Sequence, residues 1–239
     1  MSGSDSQEAG LPRPGHGGVF GRRMGRPLRL GQTALMQDAL PRLELPADGA
    51  LLLTALFPEA AELRLEIGFG GGEHLADHAA RRPHAGFIGC EPFRNGVAKF
   101  LEQAEARALT NVRVWSGDAG LVIDRLPEAS LAGADLFYPD PWPKRRQRKR
   151  RFVSDDTLLR LARVLQPGAA LRFATDIDDY AGWTLARVLR SPHYAWVATK
   201  ADDWRLPWAD WPSTRYEAKA IREGRPPAYL TILRTDRPA

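Results

Sequence analysis

The sequence predicts an α/β fold in which a mostly parallel, doubly wound sheet is closed by antiparallel strands. From residue 62 onward, short apolar runs alternate with segments whose apolar residues recur at helical spacing, which is typical of repeated strand–helix units. The last two apolar runs, 194–199 and 229–235, have no complete helical segment between them, which predicts an antiparallel closing pair. The chain has 239 residues, 44% hydrophobic and 26% charged, as in an ordinary globular protein with a sizeable core.

Five strands are predicted before the closing pair, over residues 63–69, 86–91, 112–116, 131–138 and 169–175. Helices are predicted over residues 33–40, 47–57, 73–82, 94–109, 120–126, 155–165 and 178–189. The Trp- and Pro-rich stretch 202–228 is predicted to be a long loop.

Composition divides the chain into three segments. Residues 1–18 are rich in Gly, Ser and Pro and lack periodic apolar positions, which predicts a disordered tail. Residues 19–61 begin with four arginines among glycines, within 19–31, and continue with two predicted helices. This basic arm is expected to become ordered on a partner or to pack over the site. The alternative is a solvated tail. Residues 62–239 are expected to form the one α/β domain.

A constrained loop with an acidic residue follows the fourth predicted strand. Residues 137–143 contain three prolines that alternate with Asp140 and Trp142. Because proline fixes φ and biases the preceding residue toward extended geometry, Asp140 is expected on a stiff turn. Seven of the next eight residues, 144–151, are Lys or Arg. A carboxylate on a rigid strand-end turn beside dense positive charge favours chemistry on a polyanion, whereas the alternative is a solvated charge run.

The positive charge of the chain is local. The formal net charge is +5, so the residues outside 144–151 are together net negative. Clustered Lys and Arg displace the counterions condensed on nucleic acid, and no amphipathic helix with an apolar anchor adjoins the run. A nucleic acid is therefore favoured over a membrane surface as the partner.

The bulk sequence also bears on location. No apolar stretch approaches the ~20 residues needed to cross a bilayer, and the N-terminus has no apolar signal core. The single cysteine, Cys90, excludes an internal disulfide and fits a reducing compartment. We therefore expect a cytoplasmic protein, with a monomer as the default expectation.

Acidic residues follow successive predicted strands, beside a glycine-rich turn. Gly68 and Gly70 after the first strand let a ligand approach the backbone closely. A dinucleotide fingerprint that starts at Gly68 would need glycine at position 73, where Glu73 instead places negative charge. Glu91 closes the second strand, 23 residues after Gly68, where an acid commonly accepts hydrogen bonds from a ribose. Asp118 ends the third strand and is placed to bond an adenine amino group.

These features fit S-adenosylmethionine, which has a ribose, an adenine, a cationic sulfonium and an α-amino group but no phosphate. Each acid alone would be interpreted as a helix cap or turn residue, and their recurrence at successive strand ends favours a site. His74 and His78 are four residues apart on a predicted helix, but Leu75 replaces the Glu of a zinc-protease motif. No metal is therefore expected.

The sequence resembles the bacterial tRNA (guanine-N7-)-methyltransferase family over most of its length from about Phe20. The segments that carry the resemblance are residues 65–70, 89–91, 117–119, 137–144, 174–176 and 214–217. The Pro-Asp-Pro-Trp segment within 137–144 is the most specific, whereas the glycine turn is general among methyltransferases. The sequence departs from the family pattern at Pro143, where His is frequent, and at Arg215, where Lys is frequent.

The resemblance implies a Rossmann-like, class I S-adenosylmethionine-dependent enzyme that forms 7-methylguanosine in the variable loop of tRNA. It implies that the catalytic residue is Asp140. It implies that S-adenosylmethionine is bound by Glu66, Gly68, Gly70, Glu91, Asp118 and Asp140. It implies that tRNA or guanine is contacted by Lys144, Asp176, Thr214, Arg215, Tyr216 and Glu217.

The implied chemistry suits the residue types present. Guanine N7 has a lone pair and no proton, so its attack on a methyl group needs no general base there. The purine becomes cationic as the methyl arrives, so a nearby carboxylate stabilises charge that exists only in the transition state and product. Asp140 and Asp176, at adjacent strand ends, are both candidates for that role, and one of them can instead accept hydrogen bonds from the guanine N1–H and N2 amino groups.

Three other classes of protein remain as alternatives. A methyltransferase that acts on a small molecule would not need the basic run 144–151. A nicotinamide-dependent dehydrogenase would need a phosphate-compatible turn, which Glu73 opposes. A non-catalytic RNA-binding module would leave the acids at the strand ends without a purpose.

Overall fold

A seven-stranded sheet forms the centre of the structure, a computed structural model that describes residues 23–239. The strands are β1 (Glu62–Ile67), β2 (Ala85–Cys90), β3 (Val112–Trp115), β4 (Leu131–Phe137), β5 (Leu165–Thr175), β6 (Tyr194–Trp196) and β7 (Ala228–Arg234). Their order across the sheet is β3-β2-β1-β4-β5-β7-β6. Strands β1 to β5 are parallel, and β7 runs antiparallel to its neighbours β5 and β6. The predicted fold class is confirmed, including the antiparallel closing strands.

Helices cover both faces of this sheet. They are α1 (Leu30–Asp38), α2 (Leu40–Leu43), α3 (Leu53–Leu56), α4 (Glu73–Arg81), α5 (Arg94–Ala106), α6 (Ala119–Arg125), α7 (Asp155–Val164), α8 (Asp178–Val188), α9 (Asp202–Arg205) and α10 (Arg215–Arg222). Leu75 of α4 and Phe100 of α5 belong to one apolar cluster, while Ile123 of α6, Leu161 of α7 and Tyr180 of α8 belong to another. Two cores on opposite faces are what a doubly wound sheet requires.

One helix prediction and one loop prediction are wrong, for different reasons. The helix predicted over 47–57 is reduced to α3, because Gly49 adopts a φ of +78° and turns the chain before it. The loop predicted over 202–228 contains α9 and α10. The α10 helix begins after Thr214, whose hydroxyl accepts a 3.3 Å hydrogen bond from the N–H of Glu217. The surrounding Trp and Pro residues masked this capping signal in the sequence.

The basic run also has regular structure. Residues Arg145–Arg150 form a 3-10 helix directly after the Pro-rich turn, rather than an open loop. Further on, β5 begins at Leu165, four residues before the predicted start, because Leu165 already pairs with Leu131 of β4. The register shifts between this pair and the pair Gly133–Ala170, where Gly168 adopts a φ of +79°.

The described part of the N-terminal arm packs against the start of α5. The Asn95 side chain accepts a 2.8 Å hydrogen bond from Gly25 N–H and donates a 2.7 Å bond to the Arg26 carbonyl. The predicted tail, residues 1–18, and residues 19–22 of the arm lie outside the described residues. Within residues 23–239, no helix combines the length and apolar character that crossing a membrane requires.

Candidate active site

A cavity of about 920 Å³ lies at the carboxyl ends of β1 to β4. Strand β1 lies between β2 and β4, so the strand order reverses there, which is where open α/β sheets bind ligands. The predicted site residues on its wall are Glu66, Gly68, Gly70, Glu91, Asp118, Asp140, Thr214 and Tyr216. The structure thus brings all the predicted cofactor residues together around one cavity.

The turn between β1 and α4 presents its backbone to this cavity. Gly68, Gly70 and Gly72 have φ angles of +72°, +59° and +77°, in the left-handed region where an L side chain is strained. Glycine is therefore required at these positions by the path of the chain.

Glu91 at the end of β2 fixes the shape of that turn. Its two carboxylate oxygens accept hydrogen bonds of 2.6 Å from Gly70 N–H and 2.8 Å from Phe93 N–H. Burial raises the pKa of Glu91, and the two backbone hydrogen bonds oppose that rise. Each carboxylate oxygen has a second lone pair, so Glu91 can also accept a hydrogen bond from a ligand.

Asp118 combines a capping role with a place on the cavity wall. Its Oδ1 accepts a 2.8 Å hydrogen bond from Gly120 N–H at the start of α6. The structural role expected of a lone acid is therefore present, and it places the carboxylate where β3 ends.

Glu66 belongs to a row of charged residues that crosses three strands. Glu66 of β1 lies opposite Asp135 of β4, which lies opposite Arg172 of β5. Arg172 Nε donates a 2.7 Å hydrogen bond to Asp135 Oδ1, and Glu66 Oε2 lies 2.7 Å from His74 Nδ1. Burial alone would raise the pKa of Asp135, but the Arg172 guanidinium holds it below its usual range.

The charged row also holds the loop that precedes α10. Asp210 on that loop accepts a 3.1 Å hydrogen bond from Arg172 and a 2.8 Å bond from Arg82 at the end of α4. Trp208 of the same loop donates a 2.9 Å hydrogen bond to Thr231 of β7. These hydrogen bonds hold the loop that precedes Thr214 against the sheet.

Asp140 lies on a turn whose two aromatic residues have unusual backbone conformations. Tyr138 and Trp142 adopt φ angles of +49° and +41°, which bulky residues rarely do away from functional sites. Asp140 is open to solvent through the cavity, yet desolvation by the surrounding protein raises the pKa of its carboxyl group. The guanidinium of Arg150 lies over the Trp142 ring, 4.9 Å from its centroid.

The first turn of α10 closes over the glycine-rich turn. A Cβ atom at Gly70 would lie 3.3 Å from Cε2 of Tyr216, and Arg215 Nε lies 3.7 Å from Glu73 Oε1. The ring of Tyr138 faces that of Tyr216, with centroids 6.5 Å apart and planes inclined by 19°. Two tyrosine rings, one from each side, therefore border the cavity.

The remaining predicted substrate residues lie away from the cavity wall, among the residues that the structure describes. Lys144 is exposed at the start of the 3-10 helix, and Asp176 accepts a 2.7 Å hydrogen bond from Arg225. Glu217 is buried and accepts a hydrogen bond from the Tyr229 hydroxyl. Asp140 and Asp176 follow adjacent strands, as predicted, but Asp176 turns to a partner in the protein.

A family model described as a putative methyltransferase matches residues 60–230, more than half of the chain. The tRNA (guanine-N(7)-)-methyltransferases of Mesorhizobium japonicum and Brucella anthropi are 55% and 52% identical to it. These alignments cover 90% and 95% of this chain and 94% and 99% of those proteins. The chain belongs to the tRNA (guanine-N(7)-)-methyltransferase family. The resemblance inferred from the sequence motifs is confirmed.

Solved structures agree on the fold of this family member. The 16S rRNA methyltransferase KamB has a TM-score of 0.51 and 16% identity, over 77% of this chain and 92% of that one. The antibiotic-resistance methyltransferase Kmr has a TM-score of 0.50 and 16% identity, over 76% and 91% of the two chains. At this identity the likeness shows the fold alone, which is the class I methyltransferase fold. The family and the fold together imply S-adenosylmethionine as the methyl donor.

The cavity fits a donor without phosphates. Three carboxylates at successive strand ends, those of Glu66, Glu91 and Asp118, offer hydrogen-bond acceptors and negative charge. Glu73 places further negative charge at the start of α4, where a pyrophosphate would otherwise bind. Acceptors and negative charge suit hydroxyl, amino and sulfonium groups.

One buried cluster has the ligand types of a metal site. Potential ligand atoms of His74, His78 and Asp135 lie within 4.8 Å of one another. Arg172 already bonds Asp135 and lies 3.3 Å from His74 Nε2, and its charge opposes that of a metal ion. Burial lowers the pKa of His78 to about 3, so its ring is neutral at neutral pH. The cluster belongs to the charged row, and the expectation of no metal stays a prediction.

One wall of the cavity was not predicted from the sequence. It is formed by residues of α7 and α8 and the segment before α7, among them Ser154, Thr157, Arg160, Trp183 and Arg187. In the sequence these residues look like the cap and faces of ordinary helices. Tyr138 was recognised only as part of the Pro-rich motif, although its ring faces Tyr216.

Proposed function

We propose that this protein transfers a methyl group from S-adenosylmethionine to N7 of a guanosine in the variable loop of tRNA. The observation that carries the proposal is 52–55% identity, over at least nine-tenths of the chain, to relatives named for methylation of guanine N7 in tRNA. The strand-end cavity and its acids support it independently.

The donor side of the cavity is formed by the glycine turn and three acids. When bound, S-adenosylmethionine supplies a methyl group activated by its positively charged sulfur. Glu91 accepts hydrogen bonds from the ribose hydroxyls, and Asp118 accepts one from the adenine amino group. Glu66 contributes negative charge near the positively charged methionyl end of S-adenosylmethionine. The backbone around Gly68 and Gly70 lets the methionyl part lie close to the chain.

Asp140 acts on the acceptor side. The N7 lone pair attacks the methyl carbon directly, so no proton leaves N7, and positive charge spreads over the purine as the bond forms. The Asp140 carboxylate stabilises that charge in a partly desolvated place, where the interaction is stronger than in water. Placing the base and the methyl group in line accounts for much of the remaining rate enhancement.

The guanine ring is held between Tyr138 and Tyr216. Their rings are nearly parallel, with planes inclined by 19° and centroids 6.5 Å apart, an arrangement that suits stacking with a planar base. Stacking on aromatic side chains is the usual way in which proteins hold an unpaired RNA base. Thr214 lies at the same wall and is placed to donate a hydrogen bond to the base.

The tRNA backbone binds the surface of the 3-10 helix. Lys144, Arg145, Arg146 and Lys149 are exposed there, next to the turn that carries Asp140. Asp176 and Glu217 act on the substrate through the position of α10: Asp176 holds Arg225 just after the helix, and Glu217 ties it to Tyr229 of β7. We place the protein in the cytoplasm as a monomer.

A methylation assay tests this proposal. The purified protein is incubated with labelled S-adenosylmethionine and an unmodified tRNA transcript, and the RNA is then treated with borohydride and aniline, which cleave at 7-methylguanosine. Label in the tRNA with cleavage at a variable-loop guanosine is expected. Label without cleavage would show that the protein methylates an atom of the tRNA other than guanine N7. Absence of label, with donor binding demonstrated separately, would point to a different acceptor.

A further inference from the structure

The last arginine of the run 144–151 is buried, unlike the cations that begin the run. The Arg151 side chain is 0% exposed, whereas Lys144, Arg145 and Arg146 lie on the surface. A fully buried guanidinium does not reach an RNA phosphate, and its charge must be matched inside the protein. Arg151 therefore has a role different from that of the cations before it.

Arg151 is held in a socket formed by α8. Its guanidinium donates to the carboxylate of Asp179 and to the main-chain carbonyl of that residue at 3.4 Å. The guanidinium carbon lies 4.7 Å from the ring centroid of Tyr180 and 5.0 Å from that of Trp183. A planar group with several donors in a fixed fork suits such a site, and a lysine ammonium does not.

From this socket Arg151 holds the turn that carries Asp140. Its Nε donates a 2.7 Å hydrogen bond to the carbonyl oxygen of Pro141, the residue directly after Asp140. Proline has no N–H, so the carbonyl is the one main-chain hydrogen-bonding group that Pro141 has. The bond therefore fixes the Asp140–Pro141 segment relative to α8.

We propose that Arg151 is a positioning residue for Asp140 and does not contact tRNA. The inference rests on the proposed function, in which Asp140 stabilises the charge that develops on the guanine. A carboxylate displaced by about 1 Å loses much of that stabilisation, since misplacement on this scale costs on the order of 100-fold in rate.

The same socket connects Asp140 to the RNA-binding surface. Asp179 also pairs with Arg148 of the 3-10 helix at 2.7 Å. The exposed cations of that helix and the turn of Asp140 thus share one anchor on α8. This arrangement sets the distance between a bound phosphate backbone and the catalytic carboxylate.

A pair of matched variants tests the assignment. Arg151→Gln and Arg146→Gln each remove one charge from the same run. For each protein, kcat and the KM for tRNA are measured at saturating S-adenosylmethionine, and the tRNA dissociation constant is measured between 50 and 200 mM salt. Donor affinity and the melting curve report whether the fold is intact, and Arg151→Lys, which keeps the charge, replaces Arg151→Gln if the latter does not melt cooperatively.

The two substitutions are expected to affect different parameters. Arg151→Gln should lower kcat by about 10- to 100-fold and leave the salt dependence of tRNA binding unchanged. Arg146→Gln should weaken tRNA binding and reduce the salt slope by about one, with its effect in KM. Arg151→Lys should resemble Arg151→Gln, because an ammonium cannot fill the socket.

Two results would overturn the inference. A normal kcat in Arg151→Gln or Arg151→Lys would show that the Pro141 bond does not position Asp140, and a reduced salt slope would make Arg151 a phosphate contact. If the wild-type protein methylates another acceptor instead of tRNA, the proposed function fails, and kcat on that acceptor still decides the role of Arg151.

Discussion

The Glu91 carboxylate accepts a 2.6 Å hydrogen bond from Gly70 N–H, so the end of β2 holds the turn that follows β1. On its other side the turn meets α5, where Gly96 lies so close that a Cβ atom there would be 2.2 Å from the Gly70 carbonyl oxygen. Both contacts involve main-chain atoms of Gly70. The donor site is therefore pre-organised, because its central turn cannot shift without losing one of them.

Gly96→Ala is expected to lower the affinity for S-adenosylmethionine at least tenfold. The added methyl group overlaps a main-chain atom, so the turn must move and its bond to Glu91 lengthens. Isothermal titration calorimetry measures this. Gly182→Ala in α8, where a Cβ meets nothing within 4 Å, is the matched control and should stabilise the protein by about 0.5–1 kcal/mol. Equal affinities of the two variants for S-adenosylmethionine would show that the close contact between Gly96 and Gly70 does not shape the donor site.

The pH dependence of kcat/KM should report Asp140. Its carboxyl must be ionised to stabilise the methylated purine, and desolvation raises its pKa, so activity should fall on acidification at a pH above the usual aspartate range. Asp140→Asn should lose this acid limb and about 100-fold in kcat, comparable to losing one transition-state contact. An unchanged acid limb in Asp140→Asn would assign the titration to another group.

Tyr216→Ala should raise the KM for tRNA by about tenfold or more, since one stacking contact with a base is worth about 1–3 kcal/mol. Tyr216→Phe keeps the ring and should stay within about twofold of wild type. The hydroxyl is not needed if the contact is stacking. Steady-state kinetics with varied tRNA distinguish the two variants. If Tyr216→Phe raises the KM for tRNA as much as Tyr216→Ala does, the contact is a hydrogen bond from the Tyr216 hydroxyl and not stacking.

Asp135→Asn should destabilise the protein by about 3 kcal/mol, because it leaves the buried Arg172 without its closest anion. The folded pKa of Asp135 is depressed, so its contribution is complete above the unfolded pKa, about 3.9, and is lost as pH falls through the folded value. The free energy of unfolding, measured in urea, should therefore differ between Asp135→Asn and wild type by a constant amount near neutral pH and by less in acid. Glu105→Gln, which breaks an exposed pair with Arg42, should cost less than about 1 kcal/mol. Similar costs for both variants would contradict a structural role for the charged row.

The sequence predicted the fold and the donor side because both depend on local patterns. Alternating apolar segments specify the sheet, and parallel strands bring their carboxyl ends to one edge. For that reason the sequence alone predicts that Glu91 and Asp118, which follow different strands, lie at one site.

Residue roles on the acceptor side could not be predicted in the same way. Arg151 looks like its neighbours in a basic run, and its burial depends on rings of α8 that come some thirty positions later. Asp176 and Glu217 stay predicted substrate contacts, and their hydrogen bonds to Arg225 and Tyr229 depend on where the fold places α10 and the segment after it. Such pairings depend on tertiary structure that local patterns do not encode.

N7 of a tRNA guanosine is the proposed acceptor of the methyl group. The most direct measurement compares methyl transfer to two tRNA transcripts, one normal and one with 7-deazaguanosine at the modified position, where a C–H group replaces N7. We expect the second transcript to bind with similar affinity, to compete with the first and to take up no methyl group at that position. Methylation of the 7-deaza nucleotide at a normal rate would contradict attack by N7 and require another acceptor atom.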